Sequence, residues 1–244
     1  MHSQPTLHKS PRTKKTRLKD VIRKALESKK HRRHNFTTYR SFIQNHYDGL
    51  AGELTGLSGV LSGHAVLAGQ VFKPRAFDLR GAKRILDAGC GNGRYSRYIL
   101  RRADHDARIV AFDLSQSMLK RARRHLHSPR VQQVAADLTR LPFPDAYFDA
   151  AVCGWVLEHL PDPAPGLREL ARVIAPGGKL LLMTTEDTLT GSLCSGMWHC
   201  RTYNRSELAR VCASCGLPWV RPLYFTNLHR LFRLGGIIVE LQRT

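Results

Sequence analysis

No stretch of this 244-residue chain approaches the ~18–20 uninterrupted apolar residues that a membrane-spanning helix needs. Its opening, MHSQPTLHKSPRTKK, is basic and has no apolar core of the kind a secretory signal carries. These absences predict a cytoplasmic location. The phosphate-cradling pattern G-x-x-x-x-G-K-[ST] is also missing, which argues against a P-loop. Acidic residues are scarce: 19 Asp/Glu stand against 39 Lys/Arg, a net charge of +20. The six cysteines (Cys90, Cys153, Cys194, Cys200, Cys212, Cys215) are too few to replace a core in a chain this size, and they read as reduced thiols.

The positive charge is uneven. Residues 1–40 hold 13 Lys/Arg against Asp20 and Glu27, a net +11 that leaves +9 for the remainder. Such an arm suits a contact with nucleic acid or an anionic membrane surface, or a solvated tail that promotes solubility. Within it Leu18, Val21, Ile22, Ala25 and Leu26 recur at helical spacing, which predicts a helix over Leu18–Ser28. The predicted organisation is a basic extension over 1–35, partly disordered or helical, a glycine-rich helical cover over 36–82 and a main domain over 83–244.

From Lys83 onward, strand-like runs alternate with amphipathic helical runs. The strands are 84–89, 107–114, 131–137, 148–155 and 179–186; the helices are 94–102, 115–127, 164–174 and 205–215. This alternation predicts an α/β doubly wound, mostly parallel sheet with right-handed crossovers. Two further strand candidates, 219–226 and 236–242, lack a full crossover helix between them and predict an antiparallel C-terminal edge. The expected total is seven strands.

The segment ILDAGCGNGRYSRYIL spans the first strand and the turn after it. Ligands of doubly wound sheets bind beyond the carboxyl ends of the strands, so this turn is the natural site. Glycine at 89, 91 and 93 permits positive φ and lets a ligand lie against bare backbone. The spacing is G-x-G-x-G, unlike the G-x-G-x-x-G of nicotinamide and flavin sites. Asp113 ends the second strand, 20 residues after Gly93, where a carboxylate can accept both hydroxyls of a ribose. Asp137 closes the third, where it can accept from an adenine amino group. Asp87, at the end of the first strand, can meet a cationic group on the same nucleoside. Amino acid, sulfonium, ribose and adenine together describe S-adenosylmethionine, with S-adenosylhomocysteine as its product.

The segments ILDAGCGNGRYSRYIL, VAFDLSQSML, VAADLTRLPFPDAYFDAAVCGWVLEHL and LRELARVIAPGGKLLL resemble the class I S-adenosylmethionine-dependent methyltransferases. The likeness is to the group that includes the ubiquinone- and menaquinone-biosynthesis and small-molecule (type 11 domain) enzymes. It covers about residues 83–186 and, more loosely, 205–226. The resemblance implies that Asp87, Gly89, Cys90, Gly91 and Gly93 line the methionine end of the cofactor. It implies that Asp113 binds the ribose with Leu114 and Met118 flanking the adenine, that Asp137 and Leu138 border the base, and that Cys153 and Trp155 close the pocket.

Methyl transfer from a sulfonium needs alignment and exclusion of water, and a base only where the nucleophile must lose a proton. His159 in GWVLEHLPD is the candidate for that base; packing or capping of the next turn is its other reading. Tyr39, His46, Tyr47, Trp198, His199 and Tyr203 are further residues that can border an acceptor or simply pack. Cys212-Ala-Ser-Cys215, with Cys194, His199 and Cys200 upstream, has metal-like spacing, but Leu208, Val211, Cys212 and Cys215 share one apolar helix face; the reading is core cysteine and no metal. Strand four ends in CGWVLEHL rather than the acid/Asn-Pro-Pro-aromatic run of amino-methylating base enzymes. No Pro-Cys pair supplies a cytosine C5 nucleophile. The acceptor expected is therefore a small molecule or a lipid- or quinone-like one, with the arm resting peripherally on an anionic membrane. The alternatives are an RNA-directed enzyme and a cofactor-binding module without turnover. The identity of the acceptor, O-, N- or C-methylation and the oligomeric state are not legible.

Overall fold

The computed structural model describes residues 36–48, 68–73, 76–188, 190–192, 195, 200–232 and 236–244. The predicted helix at Leu18–Ser28, most of the glycine-rich cover, Cys194, Trp198, His199 and the side chain of His46 lie outside these residues. Asn35–Thr244 forms one compact unit.

Seven strands make one sheet: β1 (Arg84–Ala88), β2 (Arg108–Asp113), β3 (Val131–Ala135), β4 (Phe148–Gly154), β5 (Ile174–Thr184), β6 (Trp219–Pro222) and β7 (Ile237–Gln242), in the order β3-β2-β1-β4-β5-β7-β6. The first five pair in parallel, and β7 runs antiparallel to both β5 and β6. The doubly wound sheet with its antiparallel edge is as the sequence predicted. Ends differ: β3 stops at Ala135, short of Asp137, and β5 starts five residues early because Ile174 already pairs with Phe148 before the Pro-Gly-Gly turn shifts the register.

Described helices are α1 (Phe36–Asp48), α2 (Arg94–Arg102), α3 (Gln116–His125), α4 (Pro163–Val173), α5 (Arg205–Ser214) and α6 (Asn227–Phe232), with one 3-10 turn at Ala68–Phe72 and another at Leu157–His159. Local chemistry sets their starts. Ser115 caps α3 by accepting from the Met118 amide, Asp162 caps α4 with Pro163 behind it, and Asn204 caps α5. Each then buries an apolar stripe, such as Met118, Leu119 and Ala122 on α3, while the arginines face water. Cys212 and Cys215 pack in the core as free thiols.

Strand order reverses between β1 and β4. The chain steps β1-β2-β3 in one direction and β4-β5 in the other, so the connections after β1 and β4 diverge and leave a crevice at their carboxyl ends. Among the described residues no helix is long and apolar enough to cross a membrane.

Candidate active site

The turn after β1 is built around left-handed glycines, with φ of +67° at Gly89, +52° at Gly91 and +83° at Gly93. They are bare for different reasons. A Cβ on Gly89 would stand 2.3 Å from Val156 Cγ2, and one on Gly93 would stand 2.6 Å from Leu126 Cδ1. These two serve the protein's own packing, and Gly93 also caps α2. A Cβ on Gly91 would meet nothing within 4 Å, because it points into an open cleft. Asp113 holds the turn in place: its Oδ2 accepts from the Gly91 amide at 2.8 Å and its Oδ1 from the Ser115 amide at 2.9 Å. A carboxylate offers about four acceptor positions, so lone pairs remain for a ligand.

The cleft holds a cavity of about 200 Å³ that opens to solvent. Its roof is α1, which turns Tyr39, Ile43 and Tyr47, spaced four apart, toward the cleft. Polar contacts tie this helix down along its length. Arg40 Nε donates to Asp137 Oδ2 at 2.5 Å, and Asp48 accepts from Ser115 Oγ at 2.6 Å and Ser117 Oγ at 2.5 Å. The Asp48 carboxyl is held below its ordinary range by those two hydroxyls.

The far wall comes from α2 and the end of β4. Trp155 has a left-handed backbone, φ +62°, uncommon for a bulky side chain, and its indole N–H donates to Tyr95 Oη at 2.8 Å. Bare Gly154 beside it makes room, since a Cβ there would lie 2.5 Å from the Tyr95 ring. His159 lines the cleft 2.9 Å, Nε2 to Oη, from Tyr47 of the roof, ring edge to ring face. Burial raises the Tyr47 phenol well above its ordinary range, so it stays neutral.

Two carboxyls sit beneath the cleft rather than in it. Asp87 is fully buried within β1, its Oδ2 accepting from Ser96 Oγ at 2.5 Å and its buried Oδ1 without a hydrogen-bond partner among the described residues. Glu158 accepts from Thr184 and Thr185 hydroxyls at 2.7 and 2.9 Å. Burial pushes both up to about 7.

Gly89, Cys90, Gly91, Asp113, Leu114, Met118, Leu138, Trp155 and His159 thus meet around one cleft. Four of the sequence-predicted cofactor residues do not line it. Asp87 is inside the strand, one residue short of its end, with its carboxyl turned to Ser96. Gly93 lies under Leu126. Cys153 faces the core, because strand alternation gives the cleft to Gly154 instead. Asp137 stands two residues beyond β3, held by Arg40, while Ala136 and Leu138 on either side reach the cleft. Tyr203 is buried and donates to the Leu157 carbonyl, away from the lining. Sequence reasoning missed Tyr95; its place two residues after the last glycine, at the opening of α2, is the signal that could have found it.

The residues present fit S-adenosylmethionine. The Cβ-sized opening at Gly91, spare acceptor positions on Asp113 and an unpartnered buried Asp87 oxygen below the turn suit a ligand carrying donors and positive charge.

Residues 86–182 match the family model described as a methyltransferase domain. A ubiquinone biosynthesis O-methyltransferase of Xanthomonas oryzae is 42% identical over 120 residues, 46% of this chain and 46% of the relative. An uncharacterized 37.1 kDa protein in transposon TN4556 of Streptomyces fradiae is 36% identical over 185 residues, 69% of this chain and 53% of the relative. This chain therefore spans about half the length of the curated relatives it matches. An S-adenosylmethionine-dependent methyltransferase structure from Mesorhizobium loti superposes with a TM-score of 0.58 at 20% identity, covering 72% of this chain and 96% of that one. That likeness carries the fold: the sheet is the Rossmann-like one of such methyltransferases.

Proposed function

We propose, on the premise that this chain carries a methyltransferase domain of the S-adenosylmethionine-dependent class, that it methylates a small, largely apolar acceptor in the cleft between α1 and the β1–β4 crevice. The observation that carries the reading is the Gly91 turn pinned to Asp113 and open only toward the cleft. S-Adenosylmethionine, when bound, supplies a methyl group already attached to its leaving group. Asp113 would hold the ribose, with Leu114 and Met118 beside the adenine and Leu138 across from it. Gly89, Cys90 and Gly91 would form the backbone bed of the methionine end, with Gly93 turning the chain into α2 beside it, and Asp87 would meet its ammonium through water. Asp137 would accept from the adenine amino group once Arg40 gives way, and Cys153 would support the floor from the core side.

Tyr95, Trp155 and the Tyr47–His159 pair remain for the acceptor. Rings dominate this end, which suits an aromatic or lipid-like molecule such as a quinone precursor and excludes water from the reacting atoms. His159 is the group positioned to take a proton from an acceptor hydroxyl, with Tyr47 orienting its ring. The basic segment 1–35 would serve as a contact for an anionic surface, and its charge also supports a second reading in which the acceptor is RNA.

Calorimetric titration tests the cofactor. Micromolar binding of S-adenosylmethionine and S-adenosylhomocysteine, with none of NADH, is expected. Asp113→Ala is expected to weaken both more than about tenfold, since charge-assisted hydrogen bonds are lost and the turn loses its anchor. Unchanged affinity in that variant would remove Asp113 from the site.

A further inference from the structure

Large apolar side chains exposed to solvent are few among the described residues, and they fall within residues 220–232. Val220, Leu228, Leu231 and Phe232 are 53, 58, 74 and 61% exposed. Val220 lies on β6, the outermost strand, and the other three on α6, a helix that buries none of its residues. Spacing of i, i+3 and i+4 puts Leu228, Leu231 and Phe232 on one face. That face is held outward from the other side. The His229 ring packs edge-on against buried Phe225 with centroids 5.5 Å apart, and Thr226 Oγ1 lies 2.7 Å from His229 Nδ1.

Position and charge say what such a face meets. Ile237 of β7 pairs with Thr184, the last residue of β5, so the β6–β7 connection emerges at the carboxyl end of the parallel strands, where the cleft opens. Gly236, four residues after Phe232, lies under the Trp155 wall of the cleft; a Cβ there would come within 3.0 Å of the indole ring. Between Glu207 and Glu240 the chain has no acidic residue, while Arg210, Arg221, Arg230 and Arg233 fall in that run. Of these, Arg221 is paired with Glu240 Oε2 at 2.8 Å, while Arg230 is exposed on α6 itself. An exposed apolar helix face that carries a cation complements an anionic lipid surface: the apolar groups enter the acyl boundary and the cation stays among the headgroups.

We infer that α6 is a docking element for an anionic lipid bilayer, set beside the Trp155 wall so that an apolar acceptor passes from the bilayer into the cleft. The docking stands on its own observations; the acceptor route rests on the methyl-transfer reading above.

Sedimentation of the full chain with phosphatidylcholine vesicles, with and without about one-third phosphatidylglycerol, tests it. Binding to the anionic vesicles is expected. The triple variant Leu228→Ser, Leu231→Ser, Phe232→Ser should lower the partition coefficient roughly tenfold or more, and Arg230→Glu alone should lower it measurably. Circular-dichroism melts of the same samples report whether each variant is folded, and calorimetry with S-adenosylmethionine tests the methyl-transfer reading separately. A cofactor that fails to bind any of them sinks the methyl-transfer reading and leaves the docking result intact. Should the triple variant misfold, Arg230→Glu decides. Wild-type partition in the folded variants would assign membrane binding to the basic arm and overturn the inference. So would absence of vesicle binding by the parent chain, or a light-scattering mass that falls from dimer to monomer on triple substitution, which would make the face a contact with a second copy.

Discussion

A methyl group added at Gly89 and one added at Gly91 meet different surroundings, and the difference separates fold from ligand. At Gly89 it would collide with Val156, and overpacking plus a left-handed alanine costs on the order of 2–5 kcal/mol. At Gly91 the only protein cost is the backbone conformation, about 1–2 kcal/mol, but the methyl enters the cleft. Urea titration should therefore find Gly89→Ala much the less stable. Gly91→Ala should stay folded and lose S-adenosylmethionine affinity more than about tenfold. The buried carboxyls make a second prediction. Asp87 and Glu158 are raised by burial to about 7, so the native state keeps protons that the unfolded chain releases above about pH 4. Their contribution is fully present at low pH and declines as pH rises toward about 7. Asp87→Asn should flatten that decline in melts of the free protein at pH 5 and pH 8, and an unchanged slope would show that Asp87 is ionised throughout.

Among the elements, α1 carries the most consequence for dynamics. It covers the cleft through Tyr39, Ile43 and Tyr47, yet the tie at its outer end lies at the surface: Arg40 is 49% exposed in its pair with Asp137. Such pairs are worth roughly 0–1 kcal/mol, so they bias the roof closed without locking it. Arg40→Ala combined with Asp48→Ala is expected to speed cofactor dissociation in stopped-flow displacement while moving the melting temperature only slightly. A large thermal loss with unaltered dissociation would make α1 a structural brace instead. The small residues and repeated glycines of this segment predicted helices with turns, but nothing local announced that Arg40 would reach Asp137, 97 residues away.

Across the whole molecule, charge is as unequally divided as shape. Beyond the +11 of residues 1–40, residues 83–130 hold 12 Lys/Arg against 4 Asp/Glu, a net +8 out of the remaining +9. Exposed arginines of α2 and α3 carry much of it, including Arg97, Arg101, Arg123 and Arg124. Deleting residues 1–34 should therefore leave S-adenosylmethionine affinity intact, lower affinity for a polyanion and reduce the slope of log K against log salt without abolishing it. Loss of cofactor binding on that deletion would make the arm part of the site. A slope of zero would assign all polyanion contact to the arm.

What this sequence determined by itself is what short windows encode. Strand and helix periods, the β1–turn–α2 glycines and Asp113 at the end of β2 were legible because each acts within about ten residues of chain. Only the tertiary structure decided which side chains meet. It turned Asp87 down toward Ser96, gave the cleft to Gly154 rather than Cys153, joined Trp155 to Tyr95, and brought Tyr47 to His159 across 112 residues. Those outcomes depend on side-chain volume and on the path of the crossovers, which fix distances between segments that carry no local sign of one another.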